Sequence, residues 1–301
     1  MGRFAPSPTG ELHLGSLYTA VASFLEARVH GGRWLVRMED VDRSREIRGA
    51  AAAILHTLEA FGFQWDGEVL RQSERSDHYA AAIETLRARG LTFECSCSRQ
   101  ELADEERYPG YCRNGPRHLG LATATRLRIE PQTVTFADDL QGTHTQNVAS
   151  VVGDAILRRR DGFFAYLLAV VVDDAAQGVT HVVRGADLLN DTPRQIYLQR
   201  SLALPTPQYA HVPVLLEPDG SKLSKSARSM ALRETAPQVQ LLEVLQMLDL
   251  APPSSLEGAP LREIWTWAEA HWTLNRLRGR PVLRLRHPNT GSAPPAKPRL
   301  P

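Results

Sequence analysis

Arg3-Phe-Ala-Pro-Ser-Pro-Thr-Gly-Glu-Leu-His-Leu-Gly-Ser16 lies at the start of the sequence. Gly2 to Ala5 reads as a short strand, and Pro6, Pro8 and Gly10 then break any regular element, so a loop follows. From Leu14 the apolar residues recur at helical spacing (Leu14, Leu17, Tyr18, Val21, Phe24, Leu25) until Gly31 and Gly32 stop the helix. Strand, Pro/Gly loop and helix N-terminus in succession attract phosphate, because the first backbone N–H groups of a helix have no intrahelical partner. Gly15 gives a ligand close access to backbone, and His13 can donate a hydrogen bond to a phosphate oxygen. A lone His at this position would more simply cap a core helix. A second phosphate-type stretch far downstream, Lys222-Leu-Ser-Lys-Ser226, weighs against the simpler reading: Lys222 and Lys225 stand in a Gly/Ser-rich loop with little apolar residue to bury.

At 301 residues the chain allows one large domain or two modest ones, and can bury a substantial core without staples. Its hydrophobic content of 43% is that of an ordinary globular protein, and no apolar run approaches the length of a membrane span. No apolar h-region precedes Arg3, and three cysteines, an odd number, make no disulfide framework. The expectation is a cytoplasmic address with no membrane partner. A net charge of only +1 announces no nucleic acid, so any RNA contact must come from local patches.

Outward from the opening stretch, Trp34 to Met38 reads as a second strand ending in Glu39-Asp40. A carboxylate at the carboxyl end of a strand in an α/β sheet faces the ligand crevice, so Glu39 either pairs with a substrate ammonium or caps a surface helix. Helices are expected over 46–62, with Ile47, Ile54, Leu55, Leu58 and Phe61 inward, and over 76–89. Leu91 to Cys97 is a strand, and Ser98 with Glu101 forms a capping box that starts a helix. Cys95, Cys97 and Cys112 all fall around the turn-rich segment 107–120. A C-x-C pair with a third Cys across a short Gly/Pro-rich loop suits tetrahedral zinc better than it suits three unrelated thiols. His118 is the chemically ordinary fourth ligand.

Short strand-like runs follow at Arg126–Ile129 and Val134–Asp138, then a strand over 153–160 and a hairpin turn at Asp161-Gly162. Phe163 to Val172 is a buried helix carrying the Tyr166 hydroxyl, ended by Asp173-Asp174 and Gly178. Val179 to Val183 is a buried strand, and the charge of Arg184 at its carboxyl end again points into the crevice. Thr192-Pro193 caps a helix to Leu204, Tyr209 to Leu216 is the last strand, and Pro218-Asp219-Gly220 turns into the lysine loop. Two helices are expected at 236–249 and about 260–277. From Arg276 to Pro301 the chain carries seven Lys/Arg and no acid and reads as a disordered basic tail, able to touch RNA by charge or simply to be solvated.

His13-Leu-Gly-Ser16 and Lys222-Leu-Ser-Lys-Ser226 resemble the HIGH and KMSKS motifs of class I aminoacyl-tRNA synthetases. Arg3 to Gly15 resembles the glutamate-activating branch, the glutamyl- and glutaminyl-tRNA synthetases. The likeness covers roughly residues 3–230. It implies an α/β, doubly wound Rossmann-type nucleotide-binding domain split by a zinc-carrying insertion. The catalytic core would span 1–230 with the insertion at about 95–150, and 231–301 would be a short helical appendage with a basic Pro-rich tail and no anticodon-binding domain. The implied reaction is ATP-dependent, tRNA-independent activation of L-glutamate to glutamyl-adenylate, with Mg²⁺ accompanying ATP.

The resemblance makes His13 and Lys225 catalytic and gives ATP to His13, Gly15, Lys222 and Lys225. It gives glutamate to Arg3, Ser7, Glu39, Tyr166 and Arg184, with Glu39 on the α-ammonium and the arginines on carboxylates, where charge-assisted pairs are strong. The C-x-C…Y-x-x-x-C spacing looks like the zinc site of short paralogues of glutamyl-tRNA synthetase. It implies one structural Zn²⁺ on Cys95, Cys97, Tyr108 and Cys112, with the metal lowering a phenol pKa from about 10. Those paralogues attach glutamate to the queuosine base in the anticodon of tRNA(Asp). A tRNA(Asp) carrying queuosine is therefore the implied partner, acting with a monomeric chain. A glutamyl-tRNA synthetase charging a tRNA 3′ end and a non-catalytic RNA-binding paralogue are the alternatives.

Overall fold

The computed structural model describes residues 1–217, 219–220, 232 and 235–285. In chain order the first half holds β1 (Gly2–Phe4), α1 (Leu14–Val29), β2 (Trp34–Met38), α2 (Ala50–Ala60), β3 (Leu70–Arg71) and α3 (Ser76–Ala88). The middle holds β4 (Thr92–Cys95), β5 (Ala124–Leu127), β6 (Thr133–Asp138), β7 (Gly142–Asn147), α4 (Val148–Val151) and β8 (Ile156–Arg158). Then come α5 (Tyr166–Ala176), β9 (His181–Gly185), α6 (Thr192–Leu202), β10 (Gln208–Val212), β11 (Val214–Leu216), α7 (Pro237–Met247), α8 (Leu261–His271) and β12 (Val282–Arg284).

β1 and β2 are buried along their whole length, as parallel strands covered on both faces must be. β1 pairs with β2 and β2 with β3, all parallel. β9 pairs parallel with β10 and β10 with β6, while β7 closes the far edge antiparallel. The two groups meet where the Met1 carbonyl accepts from Thr180 N at 3.0 Å and His181 N at 3.1 Å, laying β9 beside β1. The order is therefore 3-2-1-9-10-6-7. Its direction reverses between β1 and β9, the switch point at which a doubly wound sheet opens a crevice. β4, β5 and β8 form a separate antiparallel sheet inserted between the halves. Among the described residues no helix is long and apolar enough to cross a membrane.

Three clusters of buried side chains hold this together. The first surrounds α1 and contains an aromatic group, Phe4, Phe24, Trp34, Phe63 and Trp265, with ring centroids 4.8–6.2 Å apart. α7 and α8 belong to it: Leu241, Val244, Leu245, Ile264 and Trp265 cover α1, and Trp265 Nε1 donates to the Phe61 carbonyl at 3.0 Å. The described residues after 235 thus share this core and form no other. The second cluster joins α3, α5 and α6, and the third is the small group around the cysteines.

Four local expectations need correction. α2 begins only at Ala50, because Gly49 takes a left-handed φ of 85°; Ile47 stays outside the helix, 54% exposed. Asp173 and Asp174 do not end α5 but lie buried inside it, each held by arginine. Pro213, with no N–H to give, splits the strand expected over Tyr209–Leu216 into β10 and β11. The segment expected to be a tail from Arg276 begins instead with a helical turn, Leu274–Leu277, and with β12, which pairs parallel with β11 because Leu283 and Leu285 reach the first core. Residues 286–301 lie outside the described ones.

Candidate active site and cysteine cluster

A cavity of about 750 Å³ occupies the switch point. Arg3, Ser7, His13, Gly15, Glu39, Tyr166 and Arg184, drawn from segments far apart in sequence, all line it. Lys222 and Lys225 lie outside the described residues.

His13 is the N-cap of α1, and its Nδ1 accepts the Ser16 N–H at 3.2 Å. Capping and phosphate binding are therefore compatible: with Nδ1 accepting, the neutral ring carries its proton on Nε2, which is a donor. A Cβ on residue 15 would sit 3.1 Å from His13 Cε1 and 3.2 Å from Nδ1, so only glycine leaves the ring undisturbed.

The crevice floor is charged. Arg3 Nε donates to Asp174 Oδ1 at 3.2 Å, and Arg37 Nη1 lies 2.8 Å from the same oxygen. Arg37 is fully buried and also reaches Glu39 Oε1 at 3.4 Å and Gln177 Oε1 at 2.9 Å. Burial works against ionisation of Asp174, yet Arg3 and Arg37 together hold it below the usual carboxylate range. Next to it, Asp173 accepts from Gln72 Nε2 at 3.0 Å, Arg75 Nε at 2.6 Å and the Tyr79 hydroxyl at 2.7 Å, tying α3 to α5. Burial raises the Glu39 pKa against the pull of Arg37 and Arg3, so a ligand cation beside it would favour the carboxylate. Burial also pushes the Tyr166 phenol up to about 12, which keeps it a neutral donor. Arg184 donates through Nε to His211 Nε2 at 3.1 Å and through Nη2 to Thr192 Oγ1 at 2.8 Å. Its buried Nη1 has no partner among the described residues. Among the charged groups that line the cavity, the Arg3 and Arg184 guanidiniums with the Glu39 carboxylate form a set that complements a ligand with two carboxylates and one ammonium.

The Cys95, Cys97 and Cys112 sulfurs all lie within 4.8 Å of one another and are buried. The Tyr108 hydroxyl stands 3.4 Å from Cys95 Sγ and 3.9 Å from Cys97 Sγ, and Cys97 and Cys112 sulfurs are 3.5 Å apart. Tetrahedral zinc with sulfur at about 2.3 Å and oxygen at about 2.0 Å has edges of about 3.8 Å (S···S) and 3.5 Å (S···O), close to the Cys97–Cys112, Tyr108–Cys95 and Tyr108–Cys97 separations. Burial opposes ionisation of Cys112, but the Arg117 N–H and the Tyr108 hydroxyl lower it to about 6. The Arg126 guanidinium lies 3.9 Å over the Tyr108 ring, but burial and the neighbouring Cys95 and Cys112 thiols push the phenol up, so a metal bound there would have to supply the charge that favours a phenolate. His118 is elsewhere: its Nε2 is 2.7 Å from Glu101 Oε1 and its ring faces solvent.

Sequence reasoning missed Arg37, Asp174, Asp138 and His211. The available signals were a charge inside the apolar strand Trp34–Met38 and the acidic pair at the end of an apolar helical run.

The family of tRNA synthetases class I (E and Q), catalytic domain, matches residues 1–248. The glutamyl-Q tRNA(Asp) synthetase of Thiobacillus denitrificans is 53% identical, over 94% of this chain and 96% of that one. Its counterpart from Ectopseudomonas mendocina is also 53% identical, over 92% and 94%. The crystal structure of glutamate-tRNA synthetase from Elizabethkingia anophelis superposes with a TM-score of 0.79 at 23% identity, over 94% of this chain and 67% of that chain, a likeness of fold. The fold and the crevice are those of a class I tRNA synthetase catalytic domain, and the chain is an enzyme of that class. Within it, the chain belongs to the family of the glutamyl-Q tRNA(Asp) synthetases.

Proposed function

We propose that the enzyme activates L-glutamate with ATP, without tRNA, and then transfers the glutamyl group to the queuosine base of tRNA(Asp). The observation that carries the first step is the pairing of Arg3 and Arg184 with Glu39 in one crevice. Arg184 and Tyr166 would receive one carboxylate and Arg3 with Ser7 the other, while Glu39 takes the ammonium. Glutamine would leave part of this donor set facing an amide, and a buried unmatched donor is costly. The α-carboxylate oxygen attacks the α-phosphorus as the bond to pyrophosphate breaks. His13, the α1 N-terminus at Gly15, Lys222 and Lys225 would hold the phosphates through that redistribution of charge, with Mg²⁺ supplied alongside ATP. Positioning and electrostatics supply the rate, with no covalent protein intermediate.

For the acceptor, the support is the name shared by relatives of about half identity that this chain spans almost end to end. Residues 1–230 would carry the chemistry, with the insertion expected at about 95–150 taken as the sheet of β4, β5 and β8, while β6 and β7 belong to the main sheet, and with 231–301 as the appendage, in a monomeric cytoplasmic enzyme. Cys95, Cys97, Tyr108 and Cys112 would hold one structural Zn²⁺, which would fix the inserted sheet by joining the ends of its loop.

Glutamate-dependent ATP–pyrophosphate exchange without RNA tests activation. For the acceptor, tRNA(Asp) with its terminal adenosine removed and queuosine intact is expected to accept labelled glutamate in full. If only intact tRNA(Glu) accepts it, the enzyme charges a 3′ end. For the metal, elemental analysis should give one zinc per chain, retained in His118→Ala and mostly lost in Tyr108→Phe. Full retention in Tyr108→Phe would remove the phenol from the site.

A further inference from the structure

Arg184 is gripped by groups that do not themselves line the cavity. Asp138, on β6, takes three backbone donors on Oδ1: Leu140 N at 3.1 Å, Gln141 N at 2.9 Å and His211 N at 3.2 Å. Its Oδ2 meets His211 Nδ1 at 2.5 Å. A carboxylate only accepts, so Nδ1 carries the imidazole proton and Nε2 is left with a lone pair. That lone pair accepts the Arg184 Nε–H at 3.1 Å, while Thr192 Oγ1 accepts from Nη2 at 2.8 Å. The Asp138 and His211 side chains are 0% exposed, and Arg184 only 4%. Three neighbouring strands build the row, with Arg184 and His211 in direct register. Only Nη1, buried and without a partner among the described residues, is left over on a residue that lines the crevice.

We propose that Asp138 and His211 are positioning residues that lock the Arg184 guanidinium as a single-edged donor, so that the tautomer of His211 governs recognition of the substrate carboxylate. This rests on the reading of Arg184 as a carboxylate ligand. In the opposite tautomer the His211 N–H would turn to Thr192 Oγ1, 3.2 Å away, and meet the Arg184 N–H donor against donor, so that Thr192 and the guanidinium would have to leave the arrangement that frees Nη1. Burial and the Arg184 charge both keep His211 neutral, which the relay needs because an imidazolium has no lone pair to offer.

Asp138→Asn tests this with a nearly isosteric change. Its carbonyl stays on the three backbone N–H groups and its NH₂ faces Nδ1, which forces the proton onto Nε2. In ATP–pyrophosphate exchange the KM for glutamate should rise about 10- to 100-fold, with the KM for ATP within about two-fold of the parent. Adding His211→Gln, whose amide can turn its carbonyl to Arg184, should bring the glutamate KM part of the way back. Arg184→Ala is the reference. If it raises the glutamate KM while a folded Asp138→Asn enzyme does not, the relay is wrong and Arg184 remains the carboxylate ligand. If Arg184→Ala has no effect on glutamate, the carboxylate reading fails and takes the relay with it. Should Asp138→Asn not fold, the side-chain ¹⁵N spectrum of the parent, with His211 assigned by its loss in His211→Gln, decides: a proton on Nδ1 supports the relay, and one on Nε2 overturns it.

Discussion

An Asp174→Ala protein will lose about 3–5 kcal/mol of folding stability, because breaking a buried ion pair from one side leaves the other side charged and dry. Here two cations are left. Arg3 and Arg37 both point at the same carboxylate oxygen, and Arg37 is fully buried with Glu39 and Gln177 as its other partners. Arg37 cannot reach water without opening the sheet at β2, and Arg3, on the crevice wall and 4% exposed, loses the carboxylate that holds it. A domain of ordinary stability has roughly 5–15 kcal/mol in all, so the loss is a large fraction of the whole. Urea unfolding followed by circular dichroism measures it, and a loss below about 1 kcal/mol would show that the arginines find other partners. The same group gives a pH signature. Its pKa in the fold lies below the unfolded value, so its contribution is whole above the unfolded value and is lost as pH falls through the folded one.

The second large effect is on catalysis. Arg184→Ala should leave the fold and the ATP KM near the parent and cut kcat/KM for glutamate by about 30- to 1000-fold, the equivalent of 2–4 kcal/mol for a buried charged hydrogen bond. The reason is geometric. Nε and Nη2 are occupied by His211 and Thr192, so the guanidinium is already oriented and pays little entropy to meet a ligand. Exchange kinetics at varied glutamate and at varied ATP separate the two substrates. Equal losses for both would make Arg184 a purely structural residue.

The legible part of this molecule was the part written locally. Pro6, Pro8 and Gly10, the apolar period from Leu14 and the Gly31-Gly32 stop mark the β1–α1 corner within thirty residues, and the structure has those elements there. Trp34–Met38 came out with the same ends, since an apolar run between turn residues leaves little choice. The cysteines were legible because three thiols of one short segment have few other uses. Arg37 and Asp174 were not, because a charge inside an apolar run reads as an interruption until its partner is known. Arg3 and Asp174 are 171 residues apart in the chain, and His211 is 73 from Asp138. No periodicity links such positions, and only the sheet order 3-2-1-9-10-6-7 brings them together. Pro213 was legible as a residue but not as the point where one strand becomes two, since β11 pairs with β12, whose residues lie far downstream.

The covering of α1 by α7 and α8 has a consequence for how the polypeptide is made. α1 leaves the ribosome early, and the residues that seal it come last: the Trp272 indole that donates to Glu26 is 246 residues downstream. At about 5–20 residues per second, roughly 10–50 s of translation separate the two. For that time the apolar stripe of Leu17, Val21, Phe24 and Leu25 has no final cover, and the first half of the sheet is a nascent chain with a sticky flank. Slower translation upstream of Leu261 lengthens that exposure, and faster translation shortens it.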